Sequence, residues 1–317
     1  MNWKRKGALA VLLTLLLSIC VSAAPKAVIP GGNTIGLRLH TDGVAVVALS
    51  ESVPVRAGLK CGDVIHAING TQIKSTQEVK QAVENANGAP MKLTVTRGGA
   101  EQTVTMSATQ TEDGWRLGVY VRDTVSGIGT VTYYDTETET FGALGHGVND
   151  GGTLLPILDG AVLPSSVGAV IRGEKGEPGA LQGMVSGRSI SGTIEKNTPQ
   201  GVFGTMQAQC GTPIPIAQER EIHTGNATIR SNVRGTQIEE FDIQITALTP
   251  QDPQNRNLQL KVTDPDLLTA TGGIVQGMSG SPILQDGKLI GAVTHVLIND
   301  PTQGYGIFIE NMLDAAA

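Results

Sequence analysis

The run Gly273-Ile274-Val275-Gln276-Gly277-Met278-Ser279-Gly280-Ser281-Pro282 leads into Ile283-Leu284, a turn at Gln285-Asp286-Gly287, and the apolar stretch Lys288-Leu289-Ile290-Gly291-Ala292-Val293. A glycine-rich corner followed by strand, tight turn and strand is the pattern of a β-hairpin, so this end of the chain predicts a β-domain. The corner itself has the ingredients for nucleophilic attack. A reactive serine needs an exposed hydroxyl and backbone N–H groups converging where negative charge develops. Gly277 lets the chain aim its own amide and that of Ser279 into one pocket, and Gly280 and Pro282 carry it onward. Ser281 is the competing hydroxyl, but Pro282 restricts it to extended backbone. Ser279 is the better candidate.

The same β-pattern extends upstream. Short apolar runs at Leu117–Arg122, Gly129–Asp135, Ala161–Leu163, Gly168–Ile171, Gly183–Val185, Ser189–Glu195, Val202–Met206, Gln237–Leu248 and Leu258–Val262 are punctuated by Gly, Pro, Asn and Asp. Only Asp266 to Thr271 suggests a brief helix. With 41 glycines, 3% aromatics and 40% hydrophobic residues in 317, the core is built from Val, Ile, Leu and Ala between many turns. This predicts barrels over residues 115–317. The glycine triplets from Gly173 to Gly179 read as a charged hairpin or loop.

A serine hydroxyl needs a base, and the base needs a partner that fixes its tautomer. Phe141-Gly142-Ala143-Leu144-Gly145-His146-Gly147 sets a histidine between glycines, which allow a sharp turn and an accessible imidazole. His40 and His66 lie in the N-terminal region, His223 in a polar turn, and His295 in an apolar strand that suggests a structural or pocket-lining role. His146 is therefore the candidate base. For the acid, Asp264, Asp150, Asp159 and Asp242 remain open. Lys288 is the one local candidate for a Ser/Lys dyad.

Residues 25–110 have a different texture. Pro30-Gly31-Gly32-Asn33 enters the strand Ile35-Gly36-Leu37-Arg38-Leu39, and Val44–Leu49 reads as the next strand. Pro54–Leu59 gives a short helical turn, and Gly62-Asp63-Val64-Ile65 opens a strand closing at Asn69-Gly70. Ser75 caps a helix through Asn87 with Glu78 three residues on, and Met91–Arg97 and Gln102–Met106 form a hairpin. This order resembles a bacterial protease-associated PDZ domain. The resemblance implies a groove where an extended peptide adds as a strand, its terminal carboxylate received by amides around Ile35, Gly36 and Leu37.

Lys4-Arg5-Lys6 precede 18 apolar or small residues, Gly7–Ala24, with Val21-Ser22-Ala23 available for cleavage. Residues 1–24 thus read as an export signal peptide or an uncleaved membrane anchor. Cys20 is a poor lipoprotein cysteine, since Ile19 precedes it. Without that segment, 20 Lys+Arg face 29 Asp+Glu, a net charge of about −9 that argues against nucleic-acid partners. Cys61 and Cys210 fit no metal-site spacing and read as free, buried thiols.

A PDZ-like leader, Ala143-Leu144-Gly145-His146-Gly147, Thr263-Asp264-Pro265 before Leu267-Leu268, and Thr271-Gly272-Gly273 through Pro282 together resemble the SpoIVB peptidase family of sporulation serine proteases. The resemblance implies a mainly β protein, an α+β PDZ domain followed by an all-β, chymotrypsin-like barrel peptidase domain. It implies a triad of His146, Asp264 and Ser279, an oxyanion hole at Gly277 and Ser279, and no metal or other cofactor. It also implies export across the forespore inner membrane into the intermembrane space, and autocleavage. The other implied partner is a membrane-associated regulator of an intramembrane protease, whose cleavage activates a late mother-cell sigma factor. The competing readings are a PDZ-containing tail-specific protease using Lys288 and a secreted, non-catalytic PDZ adaptor.

Overall fold

The computed structural model describes residues 26–51, 58–150, 152–185, 189–208 and 210–317. The export segment at 1–24 and most of the Pro54–Leu59 turn lie outside these residues. No helix among the described residues is long and apolar enough to cross a membrane.

Two six-stranded barrels form the body of the molecule. In the first, Thr34–Leu49 pairs with Val119–Asp135, which pairs with Thr140–Ala143. The ring continues through Gly201–Met206, Gly192–Thr198 and Ile157–Ile171, and the last of these returns to Thr34–Leu49. Its interior holds Ile35, Leu37, Leu39, Val131, Phe141, Ala143, Val162, Ile194 and Val202. The second barrel closes in the order Gly225–Arg234, Gln237–Leu248, Leu258–Val262, Asp300–Phe308, Lys288–Leu297 and Pro282–Gln285. Ile229, Ile243, Ile245, Leu260, Ile283 and Val293 fill it. β-Branched and leucine side chains alternating inward along each strand explain why so few aromatics suffice.

The PDZ module sits between the first two barrel strands. Its sheet runs from the Val44–Ala45 part of the first strand through Val64–Ile68 and Met91–Arg97 to Ala100–Met106. Helix α1, Thr76–Ala86, has the expected capping box: Ser75 accepts from the Glu78 amide while the Glu78 carboxylate accepts from the Ser75 amide. Val79 and Val83 of α1 pack on Val44, Val46, Ile65, Ile68 and Leu93. Two further helices follow: α2, Pro265–Thr271, where a brief helix is expected, and α3, Ile309–Ala316, whose apolar Ile309, Met312 and Leu313 were not read from the sequence as a helix.

The first strand departs from expectation. Ile35–Leu39 and Val44–Leu49 are not separate strands of one PDZ domain but a single 16-residue strand, irregular between His40 and Ala45. Ala27–Pro30 also belongs to the peptidase body, since it pairs with Tyr133–Tyr134 and with Ile214–Pro215. Within the 25–110 segment, residues 27–30 and 34–40 therefore pair with the peptidase barrel, and the PDZ core begins near Val44. Likewise Val119–Asp135 is one 17-residue strand. Its first half lies along Ala45–Leu49 and its second half enters the barrel, tying the two modules together. Cys61 and Cys210 are free as expected, but exposed rather than buried.

Candidate active site

Ser279 sits in a corner with little freedom to move. Met278 is fully buried and anchors it. The Ser281 amide donates to the Met278 carbonyl at 2.9 Å, and the Leu181 amide donates to the Gln276 carbonyl at 2.8 Å. Because a trans peptide points its N–H opposite its C=O, these two bonds also orient the amides of Gly277 and Ser279. Neither amide donates to any acceptor among the described residues. Gly277, at φ +96°, adopts a conformation that side chains other than glycine resist. The corner is thus built to offer two free donors.

Ser281 is fully buried and its hydroxyl has no partner among the described residues, so it does not compete. Ser279 is half-buried and lines a cleft of about 390 Å³. Its Oγ donates to the Thr294 carbonyl at 2.8 Å. His146 and His295 line the same cleft, with ring centroids 5.1 Å apart and planes tilted by 37°. His146 is held on the turn after Thr140–Ala143 by the Leu144 amide, which donates to the Thr130 carbonyl at 3.2 Å. Among the described residues the one hydrogen-bond partner of the His146 ring is the Gly147 carbonyl, 3.0 Å from Nδ1. A carbonyl can only accept, so this bond places the proton on Nδ1 and leaves the Nε2 lone pair free. Burial lowers the His146 pKa below the ordinary imidazole value, partly offset by the Gly147 carbonyl. His295 is pushed down to about 4 by burial, with His146 and Arg256 adding repulsion.

Asp264 does not reach this cleft. Its Oδ1 accepts from the amides of Asp266 and Leu267, both at 2.9 Å, and its Oδ2 accepts from the Asp242 amide at 3.3 Å. With Pro265 in the first turn, this is the N-cap of α2. The assignment of Asp264 as the triad acid is corrected on that ground. The alternatives do no better: Asp150 pairs with Arg122, Asp159 with His40, and the described bonds of Asp242 involve its backbone. Among the described residues no carboxylate bonds to His146. We expect Asp264→Ala to lower stability by about 1 kcal/mol through the lost cap. In thermal melts this is a few degrees, while kcat/KM per folded molecule stays within about threefold; a loss near 10⁴-fold would return Asp264 to the triad.

Lys288 is also excluded from the chemistry. Its Nζ pairs with Glu221 Oε1 at 2.6 Å, in a separate cavity that Glu310 and Asp314 also line. The carboxylate-binding role of Ile35, Gly36 and Leu37 is corrected too. Gly36 pairs with Leu163 on one edge and Ile128 on the other, so the ladder is occupied on both sides. Beyond His40, the edge of Ala45–Leu49 away from Val64 is covered by Val119–Arg122, and Asp123 of that covering strand caps α1 by accepting from the Thr76 amide at 2.7 Å. Leu37 instead lines the Ser279 cleft.

One contributor was missed. Thr130 is fully buried between the barrels. Its Oγ1 donates to the Gly277 carbonyl at 2.8 Å, its amide to the Ser279 carbonyl at 3.0 Å, and its own carbonyl accepts from Leu144. It therefore joins the serine corner to the histidine turn. No local signal marks it, because a threonine in a β-branched run looks like any strand residue.

Two β-barrels meeting at a serine and a histidine, with oriented free amides beside them and a PDZ module attached, define a PDZ-containing serine endopeptidase. The comparisons agree. Residues 113–313 match the SpoIVB peptidase S55 family and residues 34–107 the PDZ domain family. The chain belongs to the SpoIVB peptidase family.

Other similarities are partial. LL2128 of Lactococcus lactis subsp. lactis (strain IL1403), named as a zinc metalloprotease, is 32% identical over 76 residues, 24% of this chain and 18% of its own length. The chain thus spans under a fifth of that relative. Among the described residues no group of three or more His, Cys, Asp or Glu is placed to hold a metal ion. The PDZ domain of an SdrC-like protein from Listeria monocytogenes aligns at 26% identity and TM-score 0.23, over 25% of this chain and 87% of that one. The Rv3671c protease of M. tuberculosis H37Rv, in an inactive form, aligns at 12% identity and TM-score 0.36, over 60% of this chain and 82% of that one.

Proposed function

We propose that this protein is an exported sporulation endopeptidase. It cleaves the extracytoplasmic part of a membrane-associated regulator, and itself, and so frees an intramembrane protease to activate a late mother-cell sigma factor. Its place of action is the intermembrane space around the forespore, reached through the apolar segment at 7–24. Family membership supports this biology. The observation that carries the chemistry is the shared cleft of Ser279 and His146, with the unpaired amides of Gly277 and Ser279 beside it.

The reaction is acyl transfer. Ser279 Oγ leaves the Thr294 carbonyl by rotation about χ1, gives its proton to His146 Nε2, and bonds to the substrate carbonyl carbon. The amides of Gly277 and Ser279 hold the oxyanion, already oriented before substrate arrives. His146 then passes the proton to the leaving amine as the peptide C–N bond breaks. Water, deprotonated by the same imidazole, releases the acyl group and restores Ser279. The Gly147 carbonyl does here what an acid does in a triad, fixing the tautomer, though without a charge to offset the imidazolium.

The biological reading is tested by mixing purified full-length protein with the extracytoplasmic fragment of the regulator encoded in the same genome. Cleavage that disappears in Ser279→Ala supports it; an intact regulator beside active, self-cleaving enzyme overturns it. The base makes a separate prediction. Because burial lowers the His146 pKa, its neutral, proton-accepting form persists to lower pH than a free imidazole allows. The acid limb of the kcat/KM profile is therefore expected below pH 6.5, the ordinary value. A limb at or above that value contradicts the assignment of His146.

A further inference from the structure

The walls of the Ser279 cleft differ in chemistry according to which barrel supplies them. The second barrel contributes Gln276, Gly277, Ser279 and His295. The first contributes mainly Leu37, Leu39, Val125, Ile128, Leu144 and Val148, with the neutral polar Ser126 and Asn149 beside His146. Among the described residues no Asp, Glu, Lys or Arg lines the cleft. Leu37, Leu39 and Leu144 form a floor fixed in the barrel core, while Val125, Ile128 and Val148 are only partly buried and form a reachable rim.

The order of events in acyl transfer assigns these walls to parts of the substrate. The acyl half stays on Ser279 and the oxyanion amides, which belong to the second barrel. The leaving amine must lie against His146, which protonates it, so the residues following the scissile bond run toward the first barrel. Resting on the endopeptidase reading above, we infer that the enzyme selects its substrates by an apolar side chain in the first or second position after the scissile bond. This side chain packs against Leu37, Leu39, Val125, Ile128 and Val148. An aliphatic side chain buried there gains by leaving water for an apolar wall. A charged one loses its water shell with no partner in the wall.

The test is cleavage of a denatured protein and peptide mixture by the full-length enzyme, with new N-termini read by mass spectrometry and Ser279→Ala as the control. Val, Ile, Leu and Met are expected to exceed their background at least fivefold in one of the first two positions of the Ser279-dependent N-termini, with Asp and Glu depleted. In Val125→Asp and Val148→Asp, both on the partly exposed rim, that preference is expected to shift toward Lys and Arg. The profile before the scissile bond stays as in wild type. Thermal melts identify a variant that fails to fold, and the other then carries the comparison. Ser279-dependent cleavage with no preference after the scissile bond overturns this inference and leaves the peptidase intact. A preference unchanged in a folded rim variant also overturns it. Absence of any Ser279-dependent cleavage removes the peptidase reading, and this inference with it.

Discussion

Ser279→Ala is expected to lower kcat/KM by at least about 10⁴-fold while leaving the fold untouched. The size follows from what the hydroxyl does: without it no acyl-enzyme forms, and only binding and the oxyanion amides remain to assist attack by water. The structural cost is small, because the half-buried Oγ makes one hydrogen bond, to the Thr294 carbonyl. Removing it exposes an acceptor at the edge of an open cleft, not a void in the core. Fluorophosphonate labelling followed by intact mass measurement reads the same property at single-residue level. Wild type and Lys288→Ala are expected to label once, Ser279→Ala not at all, and His146→Ala far more slowly. Labelling that survives in Ser279→Ala, with Ser281 buried beneath it, would remove the nucleophile assignment.

What could be read of this site in the sequence was what depends on neighbouring residues. The Gly277-Met278-Ser279-Gly280 corner is largely local: its turn glycines and its anchoring methionine lie within four positions, although Leu181 and Thr130 hold its peptide groups from outside. The PDZ core was legible for the same reason, through the Ser75/Glu78 capping box and the Asn69-Gly70 turn. The errors lie where register decides. Ile35-Gly36-Leu37 has the sequence of a strand with an open edge, and nothing near it says that residues 128 and 163 will occupy both sides. His295, read from its apolar neighbours as structural or pocket-lining, does line the cleft beside His146, next to a register shift between Val293 and His295.

Asp264 is a different kind of error. Its capping of α2 is written locally, as Asp immediately before Pro265 at a helix start, a combination that satisfies the amides of the first turn. A carboxylate already accepting from three amides has little left to offer a histidine elsewhere. In the proposed mechanism the base is therefore an imidazole whose Nδ1 faces a main-chain carbonyl and whose pKa burial lowers.

Gly280→Ala is expected to be strongly damaging to both stability and activity. A Cβ at this position would lie 2.0 Å from the Thr130 carbonyl oxygen and 2.5 Å from the Leu144 amide nitrogen. Both contacts are main-chain atoms of the first barrel, so no side chain can rotate away. The backbone there is at φ +95°, which adds strain for any residue with a Cβ. Overpacking and backbone strain together come to about 4 kcal/mol, a large share of what holds a domain folded. The injured contacts also define the active site, since Thr130 holds Gly277, Ser279 and Leu144 at once and Thr132 Oγ1 donates to the Gly280 carbonyl at 2.8 Å. If the chain accommodates the methyl group, it does so by parting the serine corner from the histidine turn. Fluorophosphonate labelling is then expected to fall by two orders of magnitude or more, even in the fraction that remains folded by circular dichroism. A Gly280→Ala protein that melts like wild type and labels at the wild-type rate would mean that the two barrels do not meet at Thr130.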